Sequence, residues 1–204
     1  MHIEILSDRQ KELLTYISLF RQSFFLVGGT AIALQIGHRR SIDYDLFRFS
    51  KLDKAKIKQK LLQIPYKKEV LFEDVDQLHL LVHDVKITFF QYPYEVKHPV
   101  KLNKIVSMPA LISLAAMKAF ALGRRAKWKD YVDLYFLMKN FFSIEDISKE
   151  ADNIFSALFS EKLFRQQLAF HKDINYSEEV EFMEGYAVTP DEIKSFLTAA
   201  SLKF

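Results

Sequence analysis

The apolar run Phe24-Phe25-Leu26-Val27 breaks directly into Gly28-Gly29, and no other junction constrains the fold as tightly. A short apolar run bounded by glycine reads as a buried strand, and Thr30-Ala31-Ile32-Ala33-Leu34-Gln35-Ile36 then has the spacing of a short helix. Gly37 stands in the C′ position that ends such a helix. A glycine pair at a strand-to-helix turn has two explanations. It permits a positive φ, and it lets a ligand approach the orphan N–H groups of the first helical turn, where donors and helix dipole together favour phosphate oxygens.

The segment Ser41-Ile42-Asp43-Tyr44-Asp45-Leu46-Phe47 alternates as a strand does, so Asp43 and Asp45 share one face and Ile42, Tyr44 and Leu46 the other. Carbon atoms two residues apart on one face lie roughly 7 Å from each other. At that separation two carboxylates repel by about 2 kcal/mol at an effective dielectric of about 20, which a cation, a proton or full hydration relieves. A hard ion such as Mg²⁺, held by one or two carboxylates and by substrate phosphates, suits the pair. An isolated Asp-x-Asp is more often the solvated face of an edge strand; the glycine pair fourteen positions before Asp43 makes a site the better reading. Between the two lies His38-Arg39-Arg40-Ser41, whose cations either reach phosphate or the aspartates or form a solvated loop.

Val27-Gly28-Gly29-Thr30, Gly37-His38-Arg39, Ser41 and Asp43-Tyr44-Asp45-Leu46-Phe47 resemble the signature of nucleotidyltransferases, in the form found in AbiEii/AbiGii-type toxins. A second block, Met117-Lys118-Ala119, Arg124 and Lys129-Asp130-Tyr131-Val132-Asp133-Leu134, is similar to the same family, and the two blocks with the segment between them cover residues 24–140. The resemblance implies a DNA polymerase β-like core, Mg²⁺ held by Asp43 and Asp45, and a nucleotide triphosphate bound by Gly28, Gly29, Thr30, Arg39, Ser41 and Lys118. It further implies catalytic roles for Asp43, Asp45, Lys118 and Asp130, transfer of a nucleotide to RNA with tRNA 3′ ends as a known target, and a cognate antitoxin in a type IV toxin-antitoxin pair.

One position departs from the superfamily pattern. A third carboxylate is expected on a later strand, and in Val85-Lys86-Ile87-Thr88-Phe89-Phe90-Gln91 its place falls to Thr88. A hydroxyl is a weak metal ligand and a poor general base. Asp84, at the edge of that strand, substitutes only if the register differs. The alternatives are therefore chemistry on two carboxylates, with an RNA, protein or small-molecule acceptor, or a weak or inactive nucleotide- or partner-binding module.

The second block is also legible without the family. Residues 111–122 form a strong helix between Pro109 and Gly123, and Lys118 on its apolar surface must either snorkel or meet an anion, for which a triphosphate would serve. On the next helix Asp130 and Asp133 are three apart and share a face, able to pair with Arg124 or Arg125. Structural ion pairing and catalysis are both open for them, and the resemblance tips Asp130 towards the site.

The 204 residues, 50% hydrophobic, suffice for a substantial core, and most of the 19 Phe and 9 Tyr belong in it. A formal charge of +3 is too small to declare nucleic-acid binding. The basic stretches 51–60 and 123–129 either track a phosphate backbone or are solvated, and the acidic stretch 177–184 reads as surface. No cysteine is present, and no apolar run of membrane-spanning length, so the expectation is a cytoplasmic protein with no membrane partner. An N-terminal helix over 8–20, strands at 67–72, 78–82 and 85–92 closed by Tyr92-Pro93-Tyr94, and helices at 145–160, 161–170 and 190–202 complete the reading. The predicted fold is α+β: a nucleotidyltransferase-type mixed sheet with flanking helices over 1–105 and a C-terminal helical bundle over 106–204, with the active cleft between them.

Overall fold

The computed structural model describes residues 1–203. The chain divides into two compact units, Met1–Ala110 and a second that begins at Leu111. The first is a mixed α/β unit, and its helix α1 (Asp8–Ile17) is nucleated by a capping box. The Ser7 side chain accepts from the Gln10 amide and the Gln10 side chain accepts from the Ser7 amide. A single 3-10 turn, Ser18–Phe20, carries this helix to the predicted end. Strand β1 (Phe25–Val27) passes straight into α2 (Gly28–Ile36), which stops at Gly37 with φ +75°.

After β2 (Tyr44–Arg48) and α3 (Lys54–Leu61) come β3 (Lys68–Asp74), β4 (Gln77–Val82) and β5 (Val85–Gln91). The β4–β5 turn uses His83 and Asp84 at φ +51° and +59°, the paired positive angles of a tight hairpin. The sheet does not close at Tyr94 as expected. A further hairpin, β6 (Val100–Leu102) and β7 (Val106–Met108), joins its other edge, giving the order β3-β4-β5-β2-β1-β7-β6. Pairs β2·β5 and β1·β7 are parallel, the rest antiparallel. Because β7 belongs to this sheet, the first unit runs to Ala110 and not to residue 105. Three-residue strands carry too little alternation to be read from sequence.

One face of the sheet is core. Tyr44, Leu46, Leu78, Leu80, Val82, Ile87 and Phe89 are all buried, and Phe20 and Phe24 pack on Phe89 at ring-centroid distances of 4.7 and 5.2 Å. The second unit is helical: α4 (Leu111–Leu122), α5 (Trp128–Asn140), α6 (Ile144–Phe155), α7 (Glu161–Ala169) and α8 (Pro190–Ser201). Ser143 and Thr189 cap α6 and α8 as expected. No helix among the described residues is long and apolar enough to cross a membrane.

Candidate active site

Register places the acidic pair. Asp45 lies opposite Val27, the last residue of β1, and on its other side opposite Thr88 of β5. Strands pack about 4.8 Å apart, so Thr88 is the immediate neighbour of Asp45 on the same face. Tyr44 and Leu46 are fully buried on the core face, whereas Asp43 and Asp45 are only partly covered. Burial forces the Tyr44 hydroxyl far above the usual phenol range, and it donates to the Gln10 carbonyl at 2.9 Å. Two details differ from the alternation read in the sequence: Asp43 precedes the first strand residue, and Ile42 is 59% exposed instead of joining Tyr44 in the core. Asp84 sits in the hairpin turn with its carboxylate 2.5 Å from Arg9, outside the row formed by Asp45 and Thr88.

The glycine pair allows this strand to press against the start of α2. Gly28 has φ +72°, and a Cβ there would collide with Asp45 Oδ2. A Cβ on Gly29 would collide with the Arg39 guanidinium and lie 3.3 Å from Ser41 Oγ. Thus Gly28, Gly29, Arg39, Ser41 and Asp45 converge on one helix N-terminus, which has no side-chain cap of its own. Thr30 is buried and donates to the Asp43 carbonyl, with its hydroxyl 2.8 Å from Ser41 Oγ. Arg39 is 1% exposed and donates to the Arg40 carbonyl at 2.9 Å, so it does not belong to a solvated loop. Gln10 escaped sequence reasoning altogether. Its side-chain nitrogen donates to the Ser41 carbonyl at 2.8 Å and ties α1 to the acidic loop, a contact across thirty-one positions that periodicity cannot reveal.

In the second unit Lys118 of α4 is 6% exposed, with its ammonium 2.5 Å from Asp130 and 2.7 Å from Asp133 of α5. Arg125 Nε lies 3.1 Å from the other Asp130 oxygen. Two cations thus balance two carboxylates, which is how a charge cluster survives burial. Of the expected partners Arg124 and Arg125, Arg125 pairs with Asp130, and Lys118, which was not expected there, joins both aspartates. Arg124 instead covers the Phe120 ring at 3.6 Å from its centroid. Among the basic stretches, Lys54 and Lys58 flank Glu73, and Lys127 and Lys129 flank Glu178. The acidic segment at 177–184 therefore has a clear task at Glu178. Burial alone would raise that carboxyl, but the two lysines outweigh it and hold it at about 2.

Residues 12–201 match the sequence model of the family described as nucleotidyl transferase AbiEii toxin, type IV TA system. The chain belongs to the AbiEii nucleotidyltransferase toxin family. A relative in Aquifex aeolicus (strain VF5), the uncharacterized protein aq_aa25, is 34% identical over 120 residues, which are 57% of this chain and 58% of that protein. The AbiEii fold also recurs in solved structures. MenT4, a nucleotidyltransferase toxin from Mycobacterium tuberculosis H37Rv, superposes with a TM-score of 0.61 at 13% identity, over 95% of this chain and 82% of that one. JHP933 from Helicobacter pylori gives 0.55 at 18% identity, over 96% and 91% of the two chains. At such identities the likeness is one of fold; the AbiEii assignment rests on the family match.

Proposed function

We propose that this AbiEii-family nucleotidyltransferase moves a nucleotide from a nucleoside triphosphate to an RNA 3′-hydroxyl, a tRNA end being the leading acceptor, and that a cognate antitoxin restrains it. The observation that supports this reading most is the contact of the Asp45 carboxylate with Gly28, because it juxtaposes a carboxylate and an uncapped helix N-terminus. Phosphate oxygens suit the N–H donors there, and the buried Arg39 guanidinium beside Gly29 adds positive charge at the same point. Thr30, Ser41 and Gln10 hold the acidic loop on α2 and α1, so that Asp43 and Asp45 are positioned before substrate arrives.

Among the described residues no group of three or more His, Asp or Glu side chains forms a metal site, and the donor set on offer is the pair Asp43 and Asp45. Two carboxylates completed by substrate oxygens and water are a normal Mg²⁺ environment, so the pair fits that ion. When bound there, Mg²⁺ would neutralise charge on the triphosphate. Lys118 and Asp130 carry the family's second block, and in our reading Lys118 serves phosphate only by exchanging one of its carboxylate partners for a phosphate oxygen.

A second reading has one specific observation behind it: Thr88, not a carboxylate, neighbours Asp45. A non-catalytic nucleotide-binding module would tolerate that. The deciding experiment is incubation of the chain with each labelled nucleoside triphosphate, Mg²⁺, total RNA and total protein. Label on RNA is the expected result. Label on protein or a small molecule would replace the acceptor, and binding without transfer of any nucleotide would leave the module.

A further inference from the structure

A pocket of about 650 Å³ opens in the first unit at the far end of β1 and β2 from the carboxylates. Its lining includes the cationic side chains of Arg21, Arg48 and Lys97, the imidazole of His98, one acid, Glu95, and the ring of Phe49. Several of these groups are held in place. Arg48 sits 5.3 Å above the centroid of Phe24 and donates to Ser50 Oγ, while Arg21 donates to the Lys104 carbonyl at 2.8 Å. The exposed His98 ring lies flat on Phe25, 4.6 Å between centroids and 9° between planes, with Nδ1 2.9 Å from Ser107 Oγ. Phe49 is 56% exposed, an apolar ring left in water beside three cations. Fixed cations around flat, accessible rings match a phosphodiester chain with unstacked bases, for which stacking supplies affinity without sequence preference.

We propose that this pocket binds a single-stranded segment of the acceptor RNA, with phosphates on Arg21, Arg48 and Lys97 and a base on Phe49 or His98. The assignment rests on the RNA reading of the proposed function and adds a second point of attachment for that substrate. His98 stacks on Phe25, whose partner Phe47 lies two residues from Asp45 on the same face of β2, about 7 Å along the strand, so a short single strand spans both, while Arg48 lines the pocket from the opposite face. A duplex does not suit the pocket, because its bases are already stacked on each other and cannot meet Phe49.

The test is fluorescence anisotropy of a labelled single-stranded RNA oligonucleotide, with the same sequence as a duplex and inorganic triphosphate as competitors, across a salt series. Phe49→Ala should weaken single-strand binding by about tenfold with the salt slope unchanged, since it removes stacking alone. Lys97→Ala should lower the salt slope by about 0.7, the value for one lost phosphate contact. Both variants should melt as the native chain does and bind triphosphate with native affinity. If the native chain labels RNA but both variants bind the oligonucleotide normally, the pocket assignment is wrong and the proposed function stands. If no single-stranded RNA binds and label goes to protein, both fall, and a protein acceptor or partner takes the pocket. Single-strand binding lost in the variants, with no transfer to RNA, would keep the pocket and sink the transferase reading. Equal competition by inorganic triphosphate would overturn the assignment in favour of a simple anion site.

Discussion

Gly28 is where backbone conformation and chemistry meet. Any other residue would incur roughly 1–2 kcal/mol for the left-handed conformation, and its Cβ would displace the Asp45 carboxylate. Gly28→Ala should therefore lower the melting temperature by several degrees and abolish triphosphate binding, both measurable on the purified chain. An alanine variant that binds triphosphate normally would detach the glycine from the site. Thr88 allows a sharper test. Thr88→Asp sets a carboxylate directly beside Asp45, and unscreened like charges at that spacing repel. The variant should melt below the native chain in chelator and regain stability with Mg²⁺, with transfer equal to or faster than native. Mg²⁺-independent melting of Thr88→Asp would argue against a metal at Asp45.

Helices α4 and α5 are joined by their charge cluster. With Lys118 and Asp130 both nearly excluded from solvent, Lys118→Ala removes the cation that joins two buried carboxylates, a change of the kind that costs about 3–5 kcal/mol. Its melting temperature should fall steeply, so the variant cannot by itself report on phosphate binding. Asp130→Asn, which keeps size and one of the two acceptor oxygens, is the cleaner probe: reduced turnover with a near-native melting temperature would assign Asp130 to catalysis, and the reverse would leave it structural. The Glu178 strap yields a pH signature. Its carboxyl is depressed in the fold from an ordinary 4.5 to about 2, so its stabilising contribution is complete above pH 4.5 and disappears as pH falls towards 2. Urea midpoints measured from pH 5 to pH 2 should drop more for the native chain than for Glu178→Gln, and parallel curves would show that the lysine pairs contribute nothing.

At the scale of the molecule, the proposed reaction depends on the carboxylate pair, while the fold does not. Removing Asp43, which is partly exposed and outside the core, should eliminate transfer and leave thermal stability unchanged or slightly raised, because one of two repelling charges is gone. Chelation should silence the native chain in the same labelling assay and Mg²⁺ should restore it. Unfolding of Asp43→Ala, or full activity in chelator, would contradict the metal-site reading.

The sequence by itself determined a set of features carried by short-range pattern. These are the strand, glycine pair and helix at 25–36, the αL stop at Gly37, the caps at Ser143 and Thr189, and the long helices with apolar stripes. Their signals lie within a few residues, and the motif spacing was enough to identify the family. Only the tertiary structure decided the rest. Asp45 meets Gly28 and Thr88 through strand register, and Lys118 finds Asp130 and Asp133 across two helices. The β6–β7 hairpin is too short to show a period, and Gln10 reaches Ser41 through a contact between distant segments. Such choices depend on which surfaces the chain buries against each other, and burial is a property of the assembled fold and not of any window of residues.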